Sequence, residues 1–441
     1  MLSNINNKKI IKSNQKSNIF TKIILFSGFL FRIIIGLTSN PYVMQHDTMI
    51  KNGHFDYAVY IFNNWKLTPT NVYEFSQPPI NAILQALWMK INSLIFLKSR
   101  LIPYYTSYKY VNIIISIITL YIIFKILQEF DINIIVKNVI LLIMAIYPNV
   151  LIMTTQYSND NLSYLFFYLS LYLAIKWSKN QNIKTIILLA LSIGIGMLTK
   201  ISVATVSFII GPMMFIIWIK SLIDKKKKSK LTENITFQII IFALIVFPIG
   251  LSYSIRNLIL FNQGFGQIYE IAKNTKLDMS RYDWTFADRF LSIPLNRFYD
   301  PVNLIYHDFI EYNIWVDLIK TAAFDEFNYG HNIYYIFYLI IYILIITIFV
   351  LSFISVIYNI YILIHYKNKK YSDNLLNIRI LSIILYFIAI ISYFFFNFKY
   401  QYSCNSNFRY ISYLSFSQAI LVSLLFYKNN NTIQHQEHSH Q

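Results

Sequence analysis

Charged side chains are scarce in this 441-residue chain: Asp, Glu, Lys and Arg make up 13% of it, against about 25% in an ordinary soluble domain. That shortage, beside a hydrophobic share of 56%, excludes a water-facing surface over most of the chain. Cysteine is nearly absent, and Cys404 alone excludes an internal disulfide. Acids are fewer still than bases, 20 against 38, so the formal net charge is +18. In a soluble protein such an excess points to nucleic acid. Here the lysines gather beside apolar runs, so membrane topology accounts for them and no nucleic-acid partner is expected. No internal repeat is visible.

What is present in abundance is apolar sequence in lengths that cross a bilayer, each of about 20 residues. Ten such runs stand at 19–37, 107–127, 133–151, 160–177, 183–199, 201–222, 236–254, 333–358, 377–397 and 409–427. The expected fold is an all-α integral membrane protein of about ten transmembrane helices, with interfacial helices in a large first outer loop. Residues 1–18 form a basic cytoplasmic tail, and the first run reads as a retained signal anchor. Alternating from there puts Lys225, Lys226, Lys227, Lys228, Lys367, Lys369 and Lys370 inside, as the positive-inside rule requires. Residues 19–427 are then one polytopic domain, with outer segments 38–106 and 255–332 and a disordered cytoplasmic tail at 428–441.

The stretch from Tyr42 to Trp88 is the polar island in this apolar chain. Tyr57, Ala58, Ile61 and Trp65 recur at helical spacing, and after Pro78-Pro79 an apolar stripe runs from Ile80 to Ile95 with Asn81, Gln85 and Asn92 off it. Such a helix lies in the interface. Asp47 has two readings. It is a helix N-cap, or a general base at the membrane surface that takes a proton from an acceptor, with His46 tuning it. His54 falls about two helical turns further on, within reach of the same cleft. His46, Asp47 and His54 match no tight metal-ligand spacing, so no metal is expected. Asn159 and Asp160 open a span on the outer side, where Asp160 reads as a cap or as a second carboxylate facing Asp47. Lys200, Arg256 and Arg409 each end a span on that side. Singly they snorkel to headgroups. Together they surround one anionic group, such as a lipid phosphate. Gly194 and Gly196 read as close helix packing.

These residues carry a resemblance. Gln45-His46-Asp47, Gly53-His54, Tyr57 and Glu74-Phe75-Ser76-Gln77-Pro78-Pro79 resemble the first outer loop of polytopic glycosyltransferases of the GT-C superfamily. The branch is that of the protein O-mannosyltransferases and the bacterial aminoarabinose-transferase-like enzymes. Ser158-Asn159-Asp160, Leu198-Thr199-Lys200, Arg256-Asn257, the stretch Thr321 to Phe327, and Asn407-Phe408-Arg409-Tyr410 are similar to later segments of that family, in order. Where protein O-mannosyltransferases carry an acidic pair, Asp47 is followed by Thr48.

The resemblance implies inverting sugar transfer from a polyprenyl- or dolichyl-phosphate donor to a lipid, glycan or protein acceptor at the outer or luminal face, with no cofactor. Asp47 would be the base, beside His46. Lys200, Arg256 and Arg409 would hold the donor phosphate. His54, Tyr57, Gln77, Asn159, Asp160, Asn407 and Tyr410 would line the substrate cavity. The compartment would be the endoplasmic reticulum in a eukaryote and the plasma membrane in a bacterium. Two other readings stand beside it: a transporter or flippase of a lipid-linked saccharide, and a catalytically inactive relative. A transporter predicts charges within spans or paired inverted repeats, whereas the acids and bases here collect at the outer ends.

Overall fold

The computed structural model describes residues 2–40, 47–96, 101–223, 230–270, 272–298, 311–325, 334–365 and 373–427, with side chains from residue 19 on except at 230–234 and 373–374. His46, the lysines expected inside at 225–228, 367, 369 and 370, and the tail 428–441 lie outside the described residues. Among the described residues the fold is all helical, and the one extended pairing is an isolated bridge between Asp278 and Tyr402. The helices are α1 (Leu2–Thr38), α2 (His54–Asn64), α3 (Ile80–Phe96), α4 (Leu101–Thr106), α5 (Lys109–Glu129), α6 (Ile134–Ile146), α7 (Pro148–Ile152) and α8 (Asp160–Lys179). They continue with α9 (Ile183–Thr199), α10 (Ser207–Ile223), α11 (Lys230–Phe261), α12 (Ile314–Phe324), α13 (Tyr335–Ile364), α14 (Asp373–Lys399) and α15 (Leu414–Leu425).

Among the described residues, six stretches are long and apolar enough to cross a bilayer: Ile19–Thr38, Leu101–Glu129, Ile201–Ile223, Ile235–Phe261, Tyr335–Ile364 and Leu375–Lys399. Two bent pairs, Ile134–Ile146 with Pro148–Thr155 and Ser403–Ile411 with Leu414–Leu425, turn by 52° and 58° and bring the number to eight. The chain is an integral multi-pass membrane protein. The expected count of about ten differs by α8 and α9. α8 carries Asp160, Lys176 and Lys179 and buries much of its length in the bundle, and α9 has 17 residues. Their composition answers to protein neighbours as much as to lipid, and hydropathy along the chain does not separate the two.

The bends position the helix ends that carry the site. α6 ends at Ile146, before Tyr147-Pro148, and its last carbonyls lack helical partners. Arg32, 1% exposed on α1, supplies them: Nη1 donates to the Ala145 carbonyl at 3.0 Å and Nη2 to the Met144 carbonyl at 3.1 Å. Its Nε donates to Ser116 Oγ at 3.0 Å, so this buried cation is satisfied, as one within a bilayer must be. The chain then runs through α7 toward residues 156–160. On α9, a Cβ at Gly194 would lie 3.0 Å from Ile249 Cβ of α11, and one at Gly196 2.7 Å from Val203 Cγ1 and 2.9 Å from Phe166 Cβ of α8. The glycines of α9 therefore serve packing.

α3 turns its polar face inward. Asn81, Gln85 and Asn92 are buried, while Leu87, Ile91, Leu94 and Ile95 are 40–68% exposed on the apolar side. Asn81 Nδ2 and Gln85 Nε2 both donate to the Tyr157 carbonyl, at 2.9 and 2.7 Å. Amides buried against protein need such partners. They pin the segment that leads into Ser158-Asn159-Asp160.

Candidate active site

The loop that follows α1 is folded so that two distant acids meet one histidine. Tyr57 and Ile61 of α2 pack with Phe75, Ala82 and Ala86, which fixes the turn Tyr73–Ser76 against α2 and α3. Tyr57 Oη lies 3.2 Å from both the Gln77 carbonyl and Tyr253 Oη, and Tyr253 Oη donates to the Phe75 carbonyl at 2.8 Å. Tyr73 is held at φ +51°, a left-handed conformation that a bulky residue keeps only under local constraint. The turn before α2 is equally tight. The His54 N–H donates to the Asp47 carbonyl at 3.2 Å, and the Phe55 N–H to the Thr48 carbonyl at 3.0 Å. A Cβ on Gly53 would collide with the Asp47 and Ile50 carbonyls, so the loop needs a residue without one.

No described helix begins at Asp47, so its carboxylate is not the cap of one. The residue before α2 is Gly53, which makes no side-chain cap. Asp47 Oδ2 instead lies 3.7 Å from His54 Nε2, while His54 Nδ1 lies 3.4 Å from Glu74 Oε2. Burial alone would discharge His54, but the carboxylates of Glu74 and Asp47 outweigh it and raise its pKa to about 9. Burial raises Glu74 above the usual carboxylate range, against the pull of His54. As an imidazolium, His54 bridges both acids. With His54 neutral, the same three groups offer ligand atoms within 4.8 Å of one another, enough to hold a divalent cation through one nitrogen and two carboxylate oxygens.

These groups open into a cavity of about 490 Å³. Asp47, His54, Tyr73, Glu74 and Gln77 line one side, with Ser158, Asn159, Asp160, Lys200, Arg409 and Tyr410 beside them. Asp160 is the first residue of α8, yet its carboxylate pairs with Lys200 Nζ. Asn159 Nδ2 donates to the Thr199 carbonyl at 3.1 Å, which joins the start of α8 to the end of α9. Lys200 Nζ sits 4.7 Å from the centre of the Tyr410 ring and the Arg409 guanidinium 5.3 Å from it, so both cations flank one aromatic. The rest of the wall is less polar, with Ile268, Ala272, Leu277 and Phe396 packed beside Cys404.

Of the residues singled out from sequence, Asp47, His54, Gln77, Asn159, Asp160, Lys200, Arg409 and Tyr410 come together in this lining. Arg256 does not join them. Its Nη2 donates to the Thr68 carbonyl and its Nη1 to Asn257 Oδ1 at 2.8 Å, so it ties the first loop to α11. Tyr57 is buried behind the wall, and Asn407 bonds Asp325 beneath it. Glu74 and Tyr73 also line the cavity, and Gln156 and Asp325 are bonded to each other; none of these was assigned a site role from sequence. Glu74 was visible as the acid just before Gln77-Pro78-Pro79, but nothing in its spacing ties it to Asp47.

The pairing gives a pH signature. A pKa raised in the folded protein means that His54's contribution is complete below its ordinary value near 6.5 and is lost as pH rises through about 9. Stability to heat should therefore decline across that window, and His54→Gln should flatten the decline. Melting temperatures measured from pH 6 to 10 check this, and an identical slope in the variant would sink it.

The dolichyl-phosphate-mannose-protein mannosyltransferase family model matches residues 76–252. That stretch holds Gln77, Asn159, Asp160 and Lys200, and stops short of Arg256 and Arg409. No curated protein matches the chain. An all-helical multi-pass fold and this match together mark the chain, over residues 76–252, as similar to the dolichyl-phosphate-mannose-protein mannosyltransferases, membrane glycosyltransferases of the GT-C type.

Proposed function

We propose that the chain transfers a sugar from a polyprenyl- or dolichyl-phosphate donor to a hydroxyl-bearing acceptor at the extracytoplasmic or luminal face, with inversion. The observation that carries this reading is the shared cavity, in which a carboxylate and two cations face one space. In the reaction, the acceptor oxygen bonds to the anomeric carbon as the bond from that carbon to the phosphate oxygen breaks. Asp47 takes the acceptor proton. His54, as an imidazolium, favours the ionised form of Asp47, and Glu74 holds His54 in turn. The departing lipid phosphate is met by Arg409, which offers a planar fork, and by Lys200, which adds a point charge. Arg256, bonded to the Thr68 carbonyl, is left out of this set.

The donor and acceptor classes follow the family match. Mannose on dolichyl phosphate is the first donor to try, and a serine- or threonine-bearing peptide the first acceptor. The purified chain in proteoliposomes, given dolichyl-phosphate mannose and such a peptide, should yield a mannosylated product of inverted anomeric configuration. A product of retained configuration would overturn direct displacement. Absence of transfer from any lipid-phosphate sugar would overturn the donor class.

A further inference from the structure

Asp325 is wholly buried, one residue beyond α12, at φ +57° and ψ −139°. Non-glycine residues seldom adopt this conformation, and it persists where surrounding contacts over-determine it. The contacts are plain. One carboxylate oxygen accepts from Gln156 Nε2 at 2.6 Å and the other from Asn407 Nδ2. The Asp325 N–H donates to the Thr321 carbonyl at 2.9 Å, and Thr321 Oγ1 accepts from the Phe408 N–H at 2.9 Å. Asn407 Oδ1 accepts from the Arg409 N–H at 2.8 Å and so opens the turn that carries Arg409. Gln156 stands two residues before Ser158-Asn159-Asp160, and its carbonyl accepts from Asn112 Nδ2 at 2.6 Å.

One carboxylate thus joins three separate pieces: the end of α12, the turn bearing Arg409, and the segment that leads to Asp160 and its partner Lys200. Among the described residues it forms no ion pair, because both oxygens are occupied by amides. The charge of Arg409 reaches this carboxylate, but its hydrogen bonds run to two amides, the pattern of a group that orients its neighbours. We propose that Asp325 is a positioning residue that sets the Arg409 turn against the Asp160–Lys200 pair at the separation one phosphate group requires. The inference rests on the donor-phosphate reading above.

The hydrogen-bond pattern supplies its own test. Asn407→Asp turns two carboxylates toward each other. Adding Asp325→Asn restores all three bonds, with donor and acceptor exchanged only between positions 325 and 407. The new amide at position 325 accepts from Gln156 Nε2 and donates to the new carboxylate at position 407, which still accepts from the Arg409 N–H. Asp325→Asn alone is a weak probe, because a flipped Gln156 amide can meet it. The measurement is the affinity of the full-length detergent-solubilised chain for dolichyl phosphate, read beside melting temperature. Asn407→Asp and Asp325→Ala should each bind about tenfold more weakly, and the exchanged pair should return to within about threefold of the parent. Asn407→Asp binding as tightly as the parent would overturn the inference. So would an exchanged pair that melts like the parent but still binds weakly. If Arg409→Ala binds dolichyl phosphate as tightly as the parent, the donor-phosphate reading itself fails, and this inference with it. If Arg409→Ala binds weakly while the Asp325 variants do not, the positioning role alone falls.

Discussion

Asp47→Asn should lower transfer from dolichyl-phosphate mannose by about a thousandfold while leaving the protein folded in the membrane and still able to bind dolichyl phosphate. The substitution keeps shape and removes the proton acceptor. A thousandfold corresponds to about 4 kcal/mol of barrier, the middle of the range a well-placed general base supplies. Asp47 suits the task because it opens into the cavity and is not held as the cap of any described helix. His54, 3.7 Å away, supplies a positive neighbour to its carboxylate. Glu74 is the obvious rival in the same lining, but it is the more deeply buried of the two acids and its carboxylate lies 3.4 Å from His54 Nδ1. Single-turnover rates on the bound donor separate chemistry from binding. A parental rate in the Asp47→Asn variant would remove Asp47 from the mechanism.

Arg409→Ala should lower kcat/KM for the lipid-phosphate donor by about a hundredfold, the usual consequence of deleting one charged donor from a developing anion. Arg409 is 9% exposed and sits at the start of a short helical turn whose backbone is held by Asn407 and, through Phe408, by Thr321. Arg409→Lys should recover only part of the loss, because an ammonium keeps the charge but not the two-pronged geometry. Arg256→Ala should leave donor affinity near that of the parent, since that guanidinium is bonded to the Thr68 carbonyl outside the cavity lining. Kinetics over a range of donor concentrations decide the matter. Equal losses in the two alanine variants would contradict the distinction between them.

That distinction marks where reading the chain alone stops. Lys200, Arg256 and Arg409 look alike in sequence, each a cation at the outer end of a span. Which of them faces the cavity depends on what surrounds the side chain. The Thr68 carbonyl, far away in sequence, takes Arg256, and Asp160 takes Lys200. Asp47 and Asp160 shared the same ambiguity. Both read as caps or as acids, and only the partners His54 and Lys200 distinguish those roles. Glu74 lay in plain view, yet no period relates it to Asp47, because loop closure rather than helical spacing brings them to one imidazole. Asp325 stood within the stretch Thr321 to Phe327, but nothing there marked its role: its partners come from two other segments, and its left-handed backbone is not written in its side chain.

The membrane class needed no tertiary information, since apolar runs of about 20 residues satisfy the bilayer one at a time. The all-helical fold followed for the same reason: in lipid each span must close its own backbone hydrogen bonds. The polar first loop and the order of the chemistry-bearing residues could also be read directly. The direction each face turns could not. A period of 3.6 reports that residues share a face, but lipid and protein interior both accept apolar surface. On α3 the apolar stripe is the exposed side, and Asn81 and Gln85 carry the contact with the protein. α8 and α9, the two expected spans outside the six to eight candidates, have helices of the same bundle as neighbours. What only the tertiary structure decided was therefore which long-range partner each polar group meets, because hydrogen bonds and ion pairs depend on distance in space and not along the chain.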